Sequence, residues 1–220
     1  VNSTPPQPTR RTFLNSSIAF AASMPLLARS LAAQSPALTD KSTINIIGPK
    51  PGYTPQIGTL VSMLTWMQRA VIMPTQKLTQ ADLDHLLDKD ANSIGALMLH
   101  LAATETYYQR HTFNGEPWGK WPADISAKWD AAMDLGDAGR KTIKGHDLAF
   151  YTGALQEARE KSLAEFRKRD DAWLMTVDKT WPWGPTNNYC KWFHVCEHIS
   201  HHAGQIDLLV KRLPGYKPEA

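Results

Sequence analysis

The sequence predicts an all-α protein, a four-helix bundle with long connections. Three observations lead there. Four stretches carry apolar residues three and four positions apart, helix-start and helix-stop residues bound each stretch, and no segment shows the strict alternation of a half-buried strand. At 220 residues with 42% apolar content, the chain can bury one substantial core.

The first helix starts at Thr54-Pro55 and carries Ile57, Leu60, Val61, Leu64, Met67 and Val71 on one face, and Pro74 is expected to end it. The second starts near Asn92-Ser93. It runs through Ile94, Leu97, Leu101, Thr104, Tyr108 and His111 and stops before Asn114-Gly115. Asp147 is the N-cap candidate of the third, which carries Leu148, Leu155, Leu163 and Phe166. The fourth begins near Thr186-Asn187-Asn188, carries Trp192, Val195, Ile199, His202, Ile206, Leu209 and Leu213, and is stopped by Pro214-Gly215. Four amphipathic helices bury their stripes most simply against one another.

The link from about Thr112 to Asp147 is longer than loops in compact domains, so it should hold extra short helix or cover a site. It contains Trp118, Trp121 and Trp129, and Trp181-Pro182-Trp183-Gly184-Pro185 precedes the fourth helix. Both connections are candidate lids over one end of the bundle. The tryptophans serve packing or substrate contact, and the sequence leaves both open.

Thr9-Arg10-Arg11-Thr12-Phe13-Leu14-Asn15 precedes an apolar stretch from Ile18 to Ala28 and then Arg29-Ser30-Leu31-Ala32-Ala33. This has the basic, apolar and small-residue parts of an export signal, and the paired arginines followed by Phe-Leu resemble the twin-arginine type. Cleavage is expected after Ala32, giving a periplasmic or cell-envelope product carried by the twin-arginine translocase. The expected organisation is a signal over 1–32, a linker over 33–53, the bundle domain over 54–215 and a tail over 216–220.

Those first 32 residues contain Arg10, Arg11 and Arg29 and no acidic residue, so removing them leaves 21 Lys+Arg against 21 Asp+Glu. A neutral body lacks the basic face that phosphate neutralisation requires, which excludes nucleic acid as a partner. A small-molecule substrate and a second copy of the chain remain candidates. Cys190 and Cys196 stand about 9 Å apart along a helix and point to different sides, so no disulfide is expected between them. Cys196 reads as a small core residue.

His198 and His202 lie four residues apart, one helical turn, and His202 falls on the apolar stripe of the fourth helix. Buried imidazoles need partners for both nitrogens, and two at one place suggest a shared cation. On the second helix, His100 flanks Leu97, Leu101 and Thr104, so three histidines from two facing helices would form a cluster.

Asn92-Ser93-Ile94-Gly95-Ala96-Leu97-Met98-Leu99-His100-Leu101-Ala102-Ala103-Thr104-Glu105 and Glu197-His198 through Gln205 together resemble the DinB-like (DinB/YfiT) metalloprotein superfamily. Asp134-Leu135-Gly136 and Pro185-Thr186-Asn187-Asn188 extend the resemblance over nearly all of 54–215. It implies a bundle in up-down-down-up order and a divalent metal bound by His100, His198 and His202. Many relatives carry arginine where this chain has Ala203, so substrate contact through that side chain is not carried over.

His194 precedes His198 by one turn, but the outer pair of His194, His198 and His202 spans about 12 Å. His194 is therefore expected beside the site, supporting a ligand or lying at the surface. His201 points about 100° away from His202. Gln205 is placed to orient a ligand or a bound water. Glu105 lies about 140° round the helix from His100 and is a candidate base or supporting group. His85, His111 and His146 give no signal.

Three neutral imidazoles leave the ion its full charge and an open position, which suits activation of water or a thiol. Zinc is the first expectation and nickel the next. Characterised relatives include thiol-dependent transferases and an isomerase. Their thiols are mostly cytosolic, so an export signal favours metal-assisted hydrolysis. The alternative is a non-catalytic metal-binding or sensing protein.

Overall fold

A computed structural model of the chain describes residues 44–218, so the expected export signal and the linker as far as residue 43 lie outside the described residues. Eight helices occur among those described: α1 (Pro55–Thr75), α2 (Gln80–Asp84), α3 (Ile94–Asn114), α4 (Ala123–Asp134), α5 (Gly136–Thr142), α6 (Leu148–Phe166), α7 (Asp171–Met175) and α8 (Asn188–Val210). The long helices α1, α3, α6 and α8 are the predicted bundle.

Local chemistry explains their ends. Short acceptor side chains satisfy first-turn N–H groups that have no partner within the helix. Ser93 accepts from the amide of Ala96 at 3.2 Å, Asp147 from Phe150 at 2.9 Å and Asn187 from Cys190 at 2.8 Å. Gly115, at φ 73°, closes α3 by donating its N–H to the Arg110 and His111 carbonyls. The cap of α1 comes from afar: the Asp171 carboxylate accepts from Thr54 Oγ1 at 2.5 Å and from the amides of Gln56 and Ile57 at 3.1 and 3.2 Å. A negative charge at a helix N-terminus also meets the positive end of its dipole.

Two expectations need correction. Pro74 lies inside α1, which runs on to Thr75. A proline in the last turn forfeits a single hydrogen bond, and the Thr75 hydroxyl donates back to the Val71 and Ile72 carbonyls at 3.1 and 3.0 Å. The fourth helix stops at Val210, while Leu213 still reaches the core from the turn beyond it. Beside the helices, β1 (Val177–Asp178) pairs antiparallel with β2 (Thr186–Asn187), which leaves the all-α class unchanged. At two residues each, they are too short to show a period.

Residue pairings fix the helix directions. His100 meets His198 while His111 meets Lys191, so α3 and α8 run antiparallel. Gly95 faces Tyr151 while Glu105 faces Arg159, so α3 and α6 run parallel. Asp171, just past α6, caps the start of α1, so those two are antiparallel. The order is up-down-down-up. Parallel α3 and α6 require the chain to return along the bundle between them, and α4 and α5 occupy that long connection.

The core is built from Leu60, Leu64, Met98, Leu101, Phe166, Trp192 and Ile206 among others. α3 and α6 approach so closely at Gly95 that a Cβ there would stand 2.6 Å from the Tyr151 ring. Cys190 and Cys196 are both free thiols, and Cys196 is buried.

Candidate metal centre

The structure brings His100 from α3 and His198 and His202 from α8 together, with one ring nitrogen of each within 4.8 Å of the others. Ring centroids lie 4.9 Å apart for His100 and His198, 4.8 Å for His100 and His202, and 4.5 Å for His198 and His202. His100 Nδ1 donates to the Ala132 carbonyl of α4 at 2.9 Å, and His202 Nδ1 donates to Gln205 Oε1 at 2.7 Å. Each bond fixes a tautomer and leaves Nε2 bare toward the cluster.

His100 Nε2 lies 2.8 Å from His198 Nε2. With a lone pair on His100 Nε2, a proton on His198 Nε2 satisfies the contact as it stands; two nitrogens sharing one zinc at about 2.0–2.1 Å would stand farther apart. Thr104 Oγ1 adds an oxygen 3.5 Å from the same His198 nitrogen. Burial pushes His198 down to about 3, with His202, His100 and His194 adding repulsion. Burial and then His100 bring His202 to about 4 against the bond to Gln205. His100 is likewise lowered by burial, against the opposing pull of the Ala132 and Met133 carbonyls and Asp134. All three rings are neutral at pH 7, the form in which imidazole binds a metal. The donor set therefore fits a divalent ion.

The other expected residues fall differently. Gln205 holds the His202 ring, as described. His194 stands beside the cluster, its ring 5.5 Å from His198, and Nδ1 pairs with Glu197 at 3.0 Å. Glu105 is not brought to the histidines. Its angle on α3 turns it to α6, where it accepts from Arg159 Nε and Nη2 at 2.8 and 2.9 Å and from Ser162 Oγ at 2.6 Å. His201 is exposed, and His146 stacks on Phe150.

Several groups at the centre or farther along the α3–α8 seam escaped the sequence reading. Ala132 is one, because a carbonyl on a connecting helix leaves no side-chain signal. His111 is another: its Nδ1 donates to the Glu116 carbonyl at 2.8 Å, and Lys191 Nζ bridges its Nε2 and Asp178 Oδ2, both at 2.8 Å. Lys191 is 1% exposed, and its hydrogen bonds hold Asp178 well below the usual carboxylate range. Lys191 lies seven residues before His198, on the same helix face. That spacing could have flagged it.

The two long connections meet above this α3–α8 seam. Trp118 and Trp181 approach to 4.9 Å, and both contact Tyr108, which lies 5.9 Å from His194. Trp183, 57% exposed, lies edge-to-face with His194 at 4.9 Å.

A family model described as mycothiol-S-transferase matches residues 59–215, a span that contains all three clustered histidines. A conserved protein from Enterococcus faecalis with a known crystal structure is similar over 70% of this chain and 94% of its own, at 17% identity and TM-score 0.54. At that identity the likeness concerns the fold alone. Among curated proteins, none matches the chain.

Proposed function

The chain belongs to the mycothiol-S-transferase family, within the DinB-like superfamily, and from that premise we propose that it is a metal-dependent S-transferase acting on a low-molecular-weight thiol. His100, His198 and His202 would hold the ion, zinc foremost and nickel next. When bound, such an ion favours thiolate over thiol at neutral pH and keeps a position open for it. The observation that carries this reading is the convergence of three neutral imidazoles, with no Cys, Asp, Glu or further His in their group among the described residues.

The chain's own groups prepare the site. Ala132 and Gln205 hold two of the rings in their ligating orientation, and burial excludes water from the His100 side. His194, with Nδ1 committed to Glu197, keeps Nε2 as an acceptor for the thiol proton. Sulfur then forms a bond to the electrophilic carbon of the second substrate while the leaving group departs with its bonding pair. No net redox change occurs.

Metal analysis of the purified protein beside His100→Ala and His202→Ala tests the centre. The wild type should carry about one equivalent and both variants far less. Equal metal in all three rejects the assignment. Zinc-loaded protein with cysteine or mycothiol should accelerate thioether formation from monobromobimane.

The arginine pair and the small residues at Ser30 and Ala32 support export to the periplasm or envelope, where such thiols are scarcer. That favours a second reading, in which water replaces the thiol at the same centre and the reaction is hydrolysis. Metal binding without either turnover would leave a non-catalytic metal-binding or sensing role. An intact N-terminus on exported protein, read by mass spectrometry, would remove the cleavage after Ala32.

A further inference from the structure

The geometry points to Thr104 as the group that grips the substrate sulfur at the three-histidine centre, its hydroxyl donating a hydrogen bond to the thiolate. This inference rests on the S-transfer reading and gives a role to a residue which that reading leaves unused.

Thr104 sits on α3 one turn after His100 and is 2% exposed. A threonine inside a helix commonly turns its hydroxyl back to the carbonyl four residues earlier. Thr106 and Thr112 on α3 do so, to Ala102 at 2.8 Å and to Tyr108 at 2.6 Å, and so do the other threonines within the described helices. Thr104 is the exception. Its hydroxyl makes no bond to the His100 carbonyl, and Oγ1 turns instead to His198 and Met133.

Neither neighbour accepts the hydroxyl proton well. His198 Nε2, at 3.5 Å, has a single lone pair, and that pair is spent whether the nitrogen carries a proton towards His100 or holds an ion. Met133 Sδ, at 3.7 Å, belongs to a thioether, which is a weak acceptor. Buried hydroxyls are nearly always paired, and leaving one without a good acceptor costs free energy. The hydroxyl is thus buried, under-used and beside the nitrogen on which the ion would sit.

A thiolate is the kind of acceptor that Thr104 lacks. It is anionic, and a hydrogen bond to an ionised acceptor is about twice as strong as one between neutral groups. The branched side chain of threonine has few rotamers, so the hydroxyl is held ready before the substrate arrives. Thr104 keeps its own proton throughout. The thiol proton leaves to His194, and the hydroxyl supplies position and charge stabilisation to the sulfur that remains.

Cobalt-loaded protein tests the contact without turnover, because a thiolate on cobalt gives a near-ultraviolet charge-transfer band. In titrations with N-acetylcysteine at fixed pH, Thr104→Val, which keeps the shape and loses the hydroxyl, should bind about three- to thirtyfold more weakly than wild type. Thr104→Ser should recover most of that loss, and cobalt affinity should be unchanged in both variants. Equal N-acetylcysteine affinity in wild type and Thr104→Val overturns the assignment. So does an equal loss in Thr104→Ser, which marks a packing role, or a parallel loss of cobalt affinity, which marks support of His198. Failure of the S-transfer reading looks different: a wild type that binds N-acetylcysteine in this way but forms no thioether rejects transfer and leaves the Thr104 contact standing, whereas a wild type without the thiolate band overturns both.

Discussion

His198 stays neutral in the folded chain to about pH 3 and His202 to about pH 4, whereas an unfolded histidine titrates near about 6.5. Between those values the folded state binds fewer protons than the unfolded state. The corresponding stability is complete above about pH 6.5 and is lost as pH falls toward 4. Urea denaturation of metal-free protein should therefore show a lower midpoint at about pH 5.5 than at about pH 7.5, and His198→Asn should shrink the difference. A flat profile in the wild type would contradict this. Glu105 gives the opposite kind of residue-scale prediction. Arg159→Ala strands its buried carboxylate and should cost about 3–5 kcal/mol in chemical denaturation while leaving metal content unchanged. His198 and His202 were legible because one helix carries both at one-turn spacing. The partner of Glu105 was not, since Arg159 lies 54 positions away on a helix whose neighbour no local pattern specifies.

Gly95 reports how elements meet. The space between α3 and α6 at that level is filled by Tyr151, so Gly95→Ala must displace a fully buried ring. Overpacking of that kind costs about 1–3 kcal/mol, read as a lowered denaturation midpoint, even though alanine is the better helix former. Cost below zero would mean that the two helices yield freely. Helix existence was readable from spacing, and the caps Ser93, Asp147 and Asn187 were readable from residue type. Helix ends governed by remote or compensating groups were not. Pro74 gave no sign that Thr75 would carry the turn past it, and the isolated β1–β2 pair exists through its neighbours rather than through its four residues.

At the scale of the molecule, the candidate centre ties α3 to α8 across 98 positions of sequence. Metal bound only by the folded state adds about 2.7 kcal/mol at a hundredfold excess over its dissociation constant. Chelation should accordingly lower the calorimetric unfolding temperature of the wild type, and His100→Ala should lose that response. The up-down-down-up order entered the sequence reading by resemblance, because periodicity reveals faces but not neighbours. The cap on α1 carries a consequence in time. Thr54 and Asp171 are 117 positions apart. Synthesis proceeds from the N-terminus at about 5–20 residues per second, so the first long helix emerges with its opening turn unclosed and waits several seconds for the group that finishes it. Every nascent or prematurely terminated chain lacking Asp171 thus lacks the carboxylate that closes the start of α1.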